Sequence, residues 1–167
     1  MDAVGRTGLL DRNSMEKDMD KGVYRIIDAN LNRVMEGIRV CEDIIRFSSN
    51  NERLTFKLKT LRHEVFSAIK DLRKEHLEEL VSSRDLNDVG MRSTDSEKKK
   101  DNLVDLFLAN TQRGKESLRV LEEVLKLLDQ ELSQKFKKLR FKLYEIEKSA
   151  VKDLESIACD QGKGIGD

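Results

Sequence analysis

Residues 25–47 read RIIDANLNRVMEGIRVCEDIIRF, and residues 105–127 read DLFLANTQRGKESLRVLEEVLKL. At a constant offset of 80 they agree at Ala29/Ala109, Asn30/Asn110, Arg33/Arg113, Glu36/Glu116, Arg39/Arg119, Val40/Val120 and Glu42/Glu122. Most of these identities are polar, while the apolar positions drift among Ile, Leu, Val and Phe. A core asks only for apolar character at roughly the right volume. The repeated Asn, Arg and Glu therefore call for a separate reason.

The likeness continues downstream. LTFKLKTLRHEV at 54–65 matches LSQKFKKLRFKL at 132–143 at Leu54/Leu132, Lys57/Lys135, Lys59/Lys137, Leu61/Leu139 and Arg62/Arg140, now at an offset of 78. The unit is helix, short loop, helix, used twice. Two copies are too few for a solenoid. They predict an all-α fold: an antiparallel helical bundle built from two repeated helix hairpins with pseudo-twofold symmetry.

The apolar spacing supports this. Ile27, Leu31, Val34, Ile38, Cys41 and Ile45 step by alternating fours and threes, a seam for one helix face. Leu54, Leu58, Leu61, Val65, Ala68 and Leu72 do the same for a second helix from about Asn51 to Leu72. A third helix is predicted from about Glu97, after a Thr94-x-x-Glu97 capping box, to Leu128, and a fourth from about Gln130 to Ala158. Ser48-Ser49-Asn50-Asn51 supplies a turn and a helix cap. The reading divides the chain into a polar arm (1–22), one helical domain (23–158) and a Gly-rich tail (159–167). Within the domain lie repeat one (23–83), a connecting loop (84–96) and repeat two (97–158).

Composition narrows the function. Charged residues are 38% of the chain but sum to a formal net charge of +0, and non-specific nucleic-acid binding requires a basic excess. No stretch approaches the roughly 20 apolar residues that cross a bilayer. The two cysteines, Cys41 and Cys159, have no CxxC spacing. These features predict a cytoplasmic protein without nucleic-acid or membrane partners. There is no P-loop, no metal-ligand spacing of His and Cys, and no nucleophile elbow.

Three constellations remain. The Asn-x2-Arg-x2-Glu-x2-Arg-x2-Glu ladder could be a run of ion pairs on a solvated face, each contributing about 0.2–0.5 kcal/mol. Its registered repetition, with Arg rather than Lys at 33, 39, 113 and 119, favours a grip on carboxylate or phosphate. The segment Arg84-Asp85-x2-Asp88-x-Gly90 could hold Mg²⁺ and phosphate oxygens, or be a polar connector. Lys59, Arg62, Lys137, Lys138 and Arg140 are phosphate clamps or a basic face. His63 corresponds to Phe141, so a packed histidine and a core Phe141 are expected.

These residues resemble a helical domain of thiamin biosynthesis, often fused ahead of thiamin phosphate synthase and regarded as a hydroxymethylpyrimidine phosphate kinase. The resemblance spans roughly residues 23–150 and rests on DAN-x-NR-x2-EG-x-R, LKTLRHEV, RD-x3-DVG, and LANTQRGKESLRVLEEVLKL. It implies phosphoryl transfer from ATP, with Mg²⁺, to a small phosphorylated pyrimidine. The motif positions are Asp28, Asn30, Asn32, Arg33, Glu36 and Arg39; Arg62 and His63; Arg84, Asp85, Asp88 and Gly90; and Asn110, Arg113, Glu116 and Arg119. On this reading the two polar flanks share one cavity capped by the 84–90 loop. Arg33, Arg39, Arg113 and Arg119 clamp phosphates. Asp85, Asp88, Glu36 and Glu116 hold Mg²⁺, with Arg39, Arg119, Asp85 and Asp88 closest to the chemistry. Asn30 and Asn110 bond the aminopyrimidine edge or ribose. Two alternatives stand: a non-catalytic helical module that docks or dimerises through a spare apolar stripe, and a sensor of a phosphorylated thiamin precursor.

Overall fold

The computed structural model describes residues 7–82 and 102–162, with side chains over 21–82 and 102–156. The connecting segment with Arg84, Asp85, Asp88, Gly90 and the Thr94–Glu97 cap lies outside the described residues. So do the side chain of Cys159 and residues 163–167 of the tail.

All the described elements are helices. α1 (Thr7–Ile44) is continuous, so the helix expected from about Val23 begins sixteen residues earlier. A π-helical turn (Ile45–Ser49) ends it, and Asn50 at φ 50° takes the left-handed conformation that Asn tolerates better than most residues. Asn51 then caps α2 (Glu52–Ala68), its Oδ1 accepting from the Leu54 N–H at 3.0 Å. The chain breaks at the buried Ile69 and runs through α3 (Lys70–Glu75) and α4 (Leu77–Ser82). α4 folds back on α1, where Leu80 is buried and His76 stacks on Tyr24 at 4.9 Å.

α5 (Leu103–Val124) starts on an Asn102 cap and ends in a 3₁₀ turn, Leu125–Leu127. Asp129 caps α6 (Gln130–Gly162), its Oδ1 accepting from the N–H groups of Glu131 and Leu132. Each hairpin thus turns on a short polar residue that bonds the first free amides of the next helix, an arrangement worth about 1 kcal/mol per cap.

The four long helices neighbour one another in a ring: α1 with α5, α5 with α6, α6 with α2, and α2 with α1. α1 and α5 are antiparallel. The Cys41 thiol donates to the Phe107 carbonyl at 3.7 Å, and Gly37 faces the Asn110 carbonyl. The predicted seams form the core: Ile27, Leu31, Val34, Ile38, Cys41 and Ile45 meet Leu54, Leu58, Leu61, Phe107, Leu118, Phe136 and Leu143. Each such side chain contributes about 1.5–3 kcal/mol relative to exposure. Ala68 and Leu72 are only partly buried, because the chain turns away at Ile69.

Candidate active site

A helix advances about 100° per residue, so ladder steps of three drift around its surface. The drift divides the ladder into two halves with different fates. Its C-terminal half turns towards the second helix of each hairpin. Glu42 is buried, with its side chain only 5% exposed. Its Oε2 accepts from Arg62 Nε on α2 at 3.0 Å, and its Oε1 from Arg39 at 3.4 Å. Arg39 also reaches Asp43 at 3.4 Å. The same knot forms on α5 and α6. Glu122 Oε2 accepts from Arg140 Nε and Nη2 at 3.1 and 2.9 Å, and Oε1 from Arg119 at 2.7 Å. Arg119 reaches Glu123 at 2.7 Å. Burial opposes the Arg140 charge, but its bonds to Glu122 and Tyr144 outweigh burial and hold its pKa above the ordinary value. A buried carboxylate is tolerable only when paired. The repetition of Arg39, Glu42, Arg62 and their counterparts thus has a structural cause, since each knot ties the two helices of a hairpin.

The N-terminal half stays open. Asn30 and Asn110 are buried beside the α1–α5 seam, and each amide donates to its own helix, to Ile26 O and Leu106 O, both at 2.8 Å. Each Oδ1 is left as an acceptor. Arg33 and Arg113 are exposed, and neither has an ionic partner among the described residues. Because Cys41 faces Phe107 and Gly37 faces Asn110, α5 descends as α1 rises. Arg33 then stands level with about Lys115, only about 3 Å along the axis from Arg113. By the same register Arg39 and Arg119 are about 15 Å apart along the bundle. The structure therefore brings Arg33 and Arg113 to facing turns and places Arg39 and Arg119 in separate knots.

The carboxylates differ between halves. Glu36 is exposed and has no partner among the described residues, whereas Glu116 accepts from Gln112 at 2.7 Å. Asn32 donates to the buried Asp28 at 3.3 Å. No group of three or more His, Cys, Asp or Glu side chains among the described residues could hold a metal ion. Shallow, open hollows lie between α2 and α6, and no ladder residue lines them.

Two expectations on the outer helices are corrected. His63 is exposed rather than packed, pointing with Phe56 and Lys59 into a hollow on α2 and away from the seam. Phe141 is 52% exposed rather than core, its ring covered on one side by the Arg140 guanidinium at 5.1 Å. The inward position beside it is used by Arg140 to reach Glu122. One cluster carried no signal in the repeat. Glu147 accepts from Lys115 Nζ at 2.8 Å and from Thr111 Oγ1 at 2.9 Å. The first repeat offers Leu31, Met35 and Ile69 at those places.

Comparison with known proteins fits the ladder. The ThiD2 family model matches residues 25–149, which begin and end with the duplicated helices. This chain belongs to the ThiD2 family. Among curated relatives it is similar to a thiamine-phosphate synthase of Nostoc punctiforme, 36% identical over 141 residues, covering 83% of this chain and 38% of the relative. A thiamine-phosphate synthase of Rhodopirellula baltica is 39% identical over 124 residues, covering 73% of this chain and 32% of the relative. This ThiD2 chain thus spans about a third of the length of these relatives. No solved structure matches it. Among the described residues no helix is long and apolar enough to cross a membrane.

Proposed function

We propose that this chain is a small-molecule kinase of thiamin biosynthesis, transferring the γ-phosphoryl group of ATP to hydroxymethylpyrimidine phosphate in the cytoplasm. The observation that carries the reading is the pair of guanidiniums, Arg33 and Arg113, on facing turns of α1 and α5 and without ionic partners among the described residues. The acceptor in this reaction is a phosphate oxygen that is already anionic, so no side chain need remove a proton. The reaction asks for positioning and positive charge around oxygens that crowd together in the transition state. Two planar forks a few ångströms apart along the seam suit that task.

The other motif residues take supporting parts. Asn30 and Asn110 each offer an amide oxygen to an exocyclic amino group on the pyrimidine or adenine ring. Glu36, with Asp85 and Asp88 from the connecting segment, meets Mg²⁺ carried on the nucleotide, a cation that needs only one or two protein carboxylates beside phosphate. Mg²⁺ supplies charge neutralisation on the phosphates. Glu116, tied to Gln112, orients its own helix face. Arg39 and Arg119, about half exposed at 51% and 53%, border the site from the two flanks. Arg62 fixes the first flank through Glu42. The two hairpins are proposed to be related by a pseudo-twofold axis through the seam near Val34 and Gly114, placing Arg33 and Arg113 on either side of it. Support from relatives is their printed name, thiamine-phosphate synthase, which puts the family beside the same pathway.

The test is ADP release with Mg²⁺-ATP and hydroxymethylpyrimidine phosphate. Arg33→Gln and Arg113→Gln should each lower kcat/KM by about 100-fold or more, the scale for removing one preorganised charge donor, with helicity unchanged. Full activity in both variants would overturn the site. Saturable binding of the pyrimidine phosphate without ADP release would make the chain a sensor instead.

A further inference from the structure

α2 and α6 lie antiparallel on the face away from the ladder. Asn51 donates to Asp153 Oδ1 at 3.1 Å near one end, and Lys142 donates to Glu64 at 2.7 Å further along. Between the helices lie three hollows of about 440, 250 and 240 Å³. Neighbouring hollows share lining residues, Lys57 in one case and Glu64 with Lys142 in the other, so they form one groove. Its floor is apolar, with Leu61 and Ile146 followed by Ala68 and Leu139.

Charge gathers at the two ends. Arg53, Lys57 and Lys152 line the first, and Lys135 and Lys138 line the other. None of the five has an ionic partner among the described residues. With Lys142 level with Glu64, Lys138 stands level with Ala68, which sets the two cationic ends about 20 Å apart along the groove. The carboxylates do not balance them. Glu64 is taken by Lys142, and Asp153 is held by Asn51 with its Oδ2 buried. Only Glu145 stands free among those lining the groove, midway between the ends. On a chain of formal net charge +0 this is a local positive field.

We propose that the groove docks an acidic amphipathic helix of a partner protein. Carboxylates in its first and last turns meet the two cationic ends, and its apolar stripe lies on the floor between them. The floor decides the conformation. Mid-helix amides of α2 and α6 are used within their own helices, so an extended segment would bury unpaired N–H groups there, whereas a helix satisfies its own. A uniformly anionic partner fits less well. A nucleic-acid strand, with a phosphate every few ångströms, sets charge against Glu145 and Glu64. An anionic bilayer meets the same carboxylates, with Glu52 added beside Phe56. A peptide places uncharged residues opposite Glu145. No ladder residue lines the groove, so the proposal does not rest on the kinase reading.

Fluorescence anisotropy with the full chain tests it. The probe is a fluorescein-labelled helical peptide of about 18 residues, with glutamates in its first and last turns and a leucine stripe between. Saturable micromolar binding is expected, weakening as salt is raised. Lys57→Glu/Lys138→Glu, one reversal at each end, should raise Kd by about 100-fold. Thr60 lines the middle hollow, and Thr60→Arg fills it while adding a positive charge. Docking predicts about 10-fold weaker binding in that variant, whereas attraction by charge alone predicts tighter binding. Both variants should keep wild-type helicity. Absence of saturable binding below about 1 mM overturns the proposal. So does equal binding of a peptide with lysines at its ends, or tighter binding of phosphatidylserine vesicles or oligo-dT than of the acidic peptide. A Thr60→Arg chain that binds more tightly overturns it, as does a wild-type dimer that the double reversal dissociates, which would assign the groove to a second copy. Peptide binding by a chain that releases no ADP would remove the kinase reading and leave this one standing.

Discussion

The closeness of α1 to α5 rests on a backbone contact that a single methyl group can probe. A Cβ added at Gly37 would stand 2.9 Å from the Asn110 carbonyl oxygen and 3.7 Å from the Gly114 nitrogen. Both are backbone atoms of a neighbouring helix, so the helices must separate by a few tenths of an ångström. Overpacking of this kind costs about 1–3 kcal/mol. Against it stands the helix-propensity gain of Ala over Gly, about 1 kcal/mol. Gly37→Ala should therefore destabilise the protein by about 1 kcal/mol. At Gly114 the added Cβ meets only Leu143 Cδ2, at 3.0 Å, the end of a flexible side chain. Gly114→Ala should fall between neutral and about 0.5 kcal/mol stabilising, the propensity gain less a small repacking cost. Gly22 has nothing within 4 Å and serves as the reference, where Ala should gain close to the full 1 kcal/mol or so. For a chain of this size each kcal/mol moves Tm by about 2–4 °C, so the series should spread over roughly 4–8 °C in the order Gly22→Ala, Gly114→Ala, wild type, Gly37→Ala. Urea unfolding by circular dichroism reads the same order. Gly37→Ala as stable as Gly114→Ala would refute the helix register on which the site's geometry is built.

The knots should respond unequally to truncation. Glu122→Ala leaves Arg140, 14% exposed, without its carboxylate and should cost about 2–3 kcal/mol. Glu42→Ala, which removes longer contacts, should cost about 1–2 kcal/mol, and the reverse order in urea unfolding would contradict the bonding described. Burial, and secondarily the Glu147 carboxylate, pushes the Cys41 thiol up to about 12. The folded chain then retains a proton that the unfolded chain releases above about pH 8.5. Its stabilising contribution is intact below that pH and declines by about 1.4 kcal/mol per pH unit as pH rises towards 12. Stability of the wild type measured against Cys41→Ala between neutral and alkaline pH should show this excess slope, and equal slopes would argue against a buried thiol.

Much of the fold was legible because the core follows a period. Every seam residue expected on the first helix is buried, and the Asn-rich turn produced both a left-handed Asn50 and the Asn51 cap. What the period does not carry is tertiary in origin. The break at Ile69 falls in SAIKDLRKEH, which contains neither Gly nor Pro. It exists because α4 folds back on α1 to bury Leu80 and to stack His76 on Tyr24. Phe141 looked like core by residue type, but the turn it occupies is oriented by the reach of Arg140 to Glu122. The ladder itself was visible, yet its division between hairpin knots and an open seam was not. Residue identity is the same in both halves, and only the neighbouring helix distinguishes them.

That division also explains why spacing alone fails to identify a binding arginine. Arg33 has Glu36 three residues on, just as Arg39 has Glu42 and Arg119 has Glu122. The i,i+3 pair forms at 39 and at 119, but not at 33. An exposed pair of this kind contributes only a few tenths of a kcal/mol, comparable with the entropy lost in holding two long side chains together. Glu42 and Glu122 escape that balance because a second helix has already fixed them, through Arg62 and Arg140, so only the arginine must be ordered. Glu36 has no such anchor, and Glu116 is engaged by Gln112. Arg33 and Arg113 are therefore the two ladder guanidiniums without an ionic partner among the described residues. A polyanion spanning both gains what an isolated surface carboxylate fails to supply, since one ligand then satisfies two forks for a single loss of freedom. If inorganic pyrophosphate raises Tm in the wild type but not in Arg33→Gln/Arg113→Gln, that inference holds independently of turnover. An equal rise in both would place the anion elsewhere.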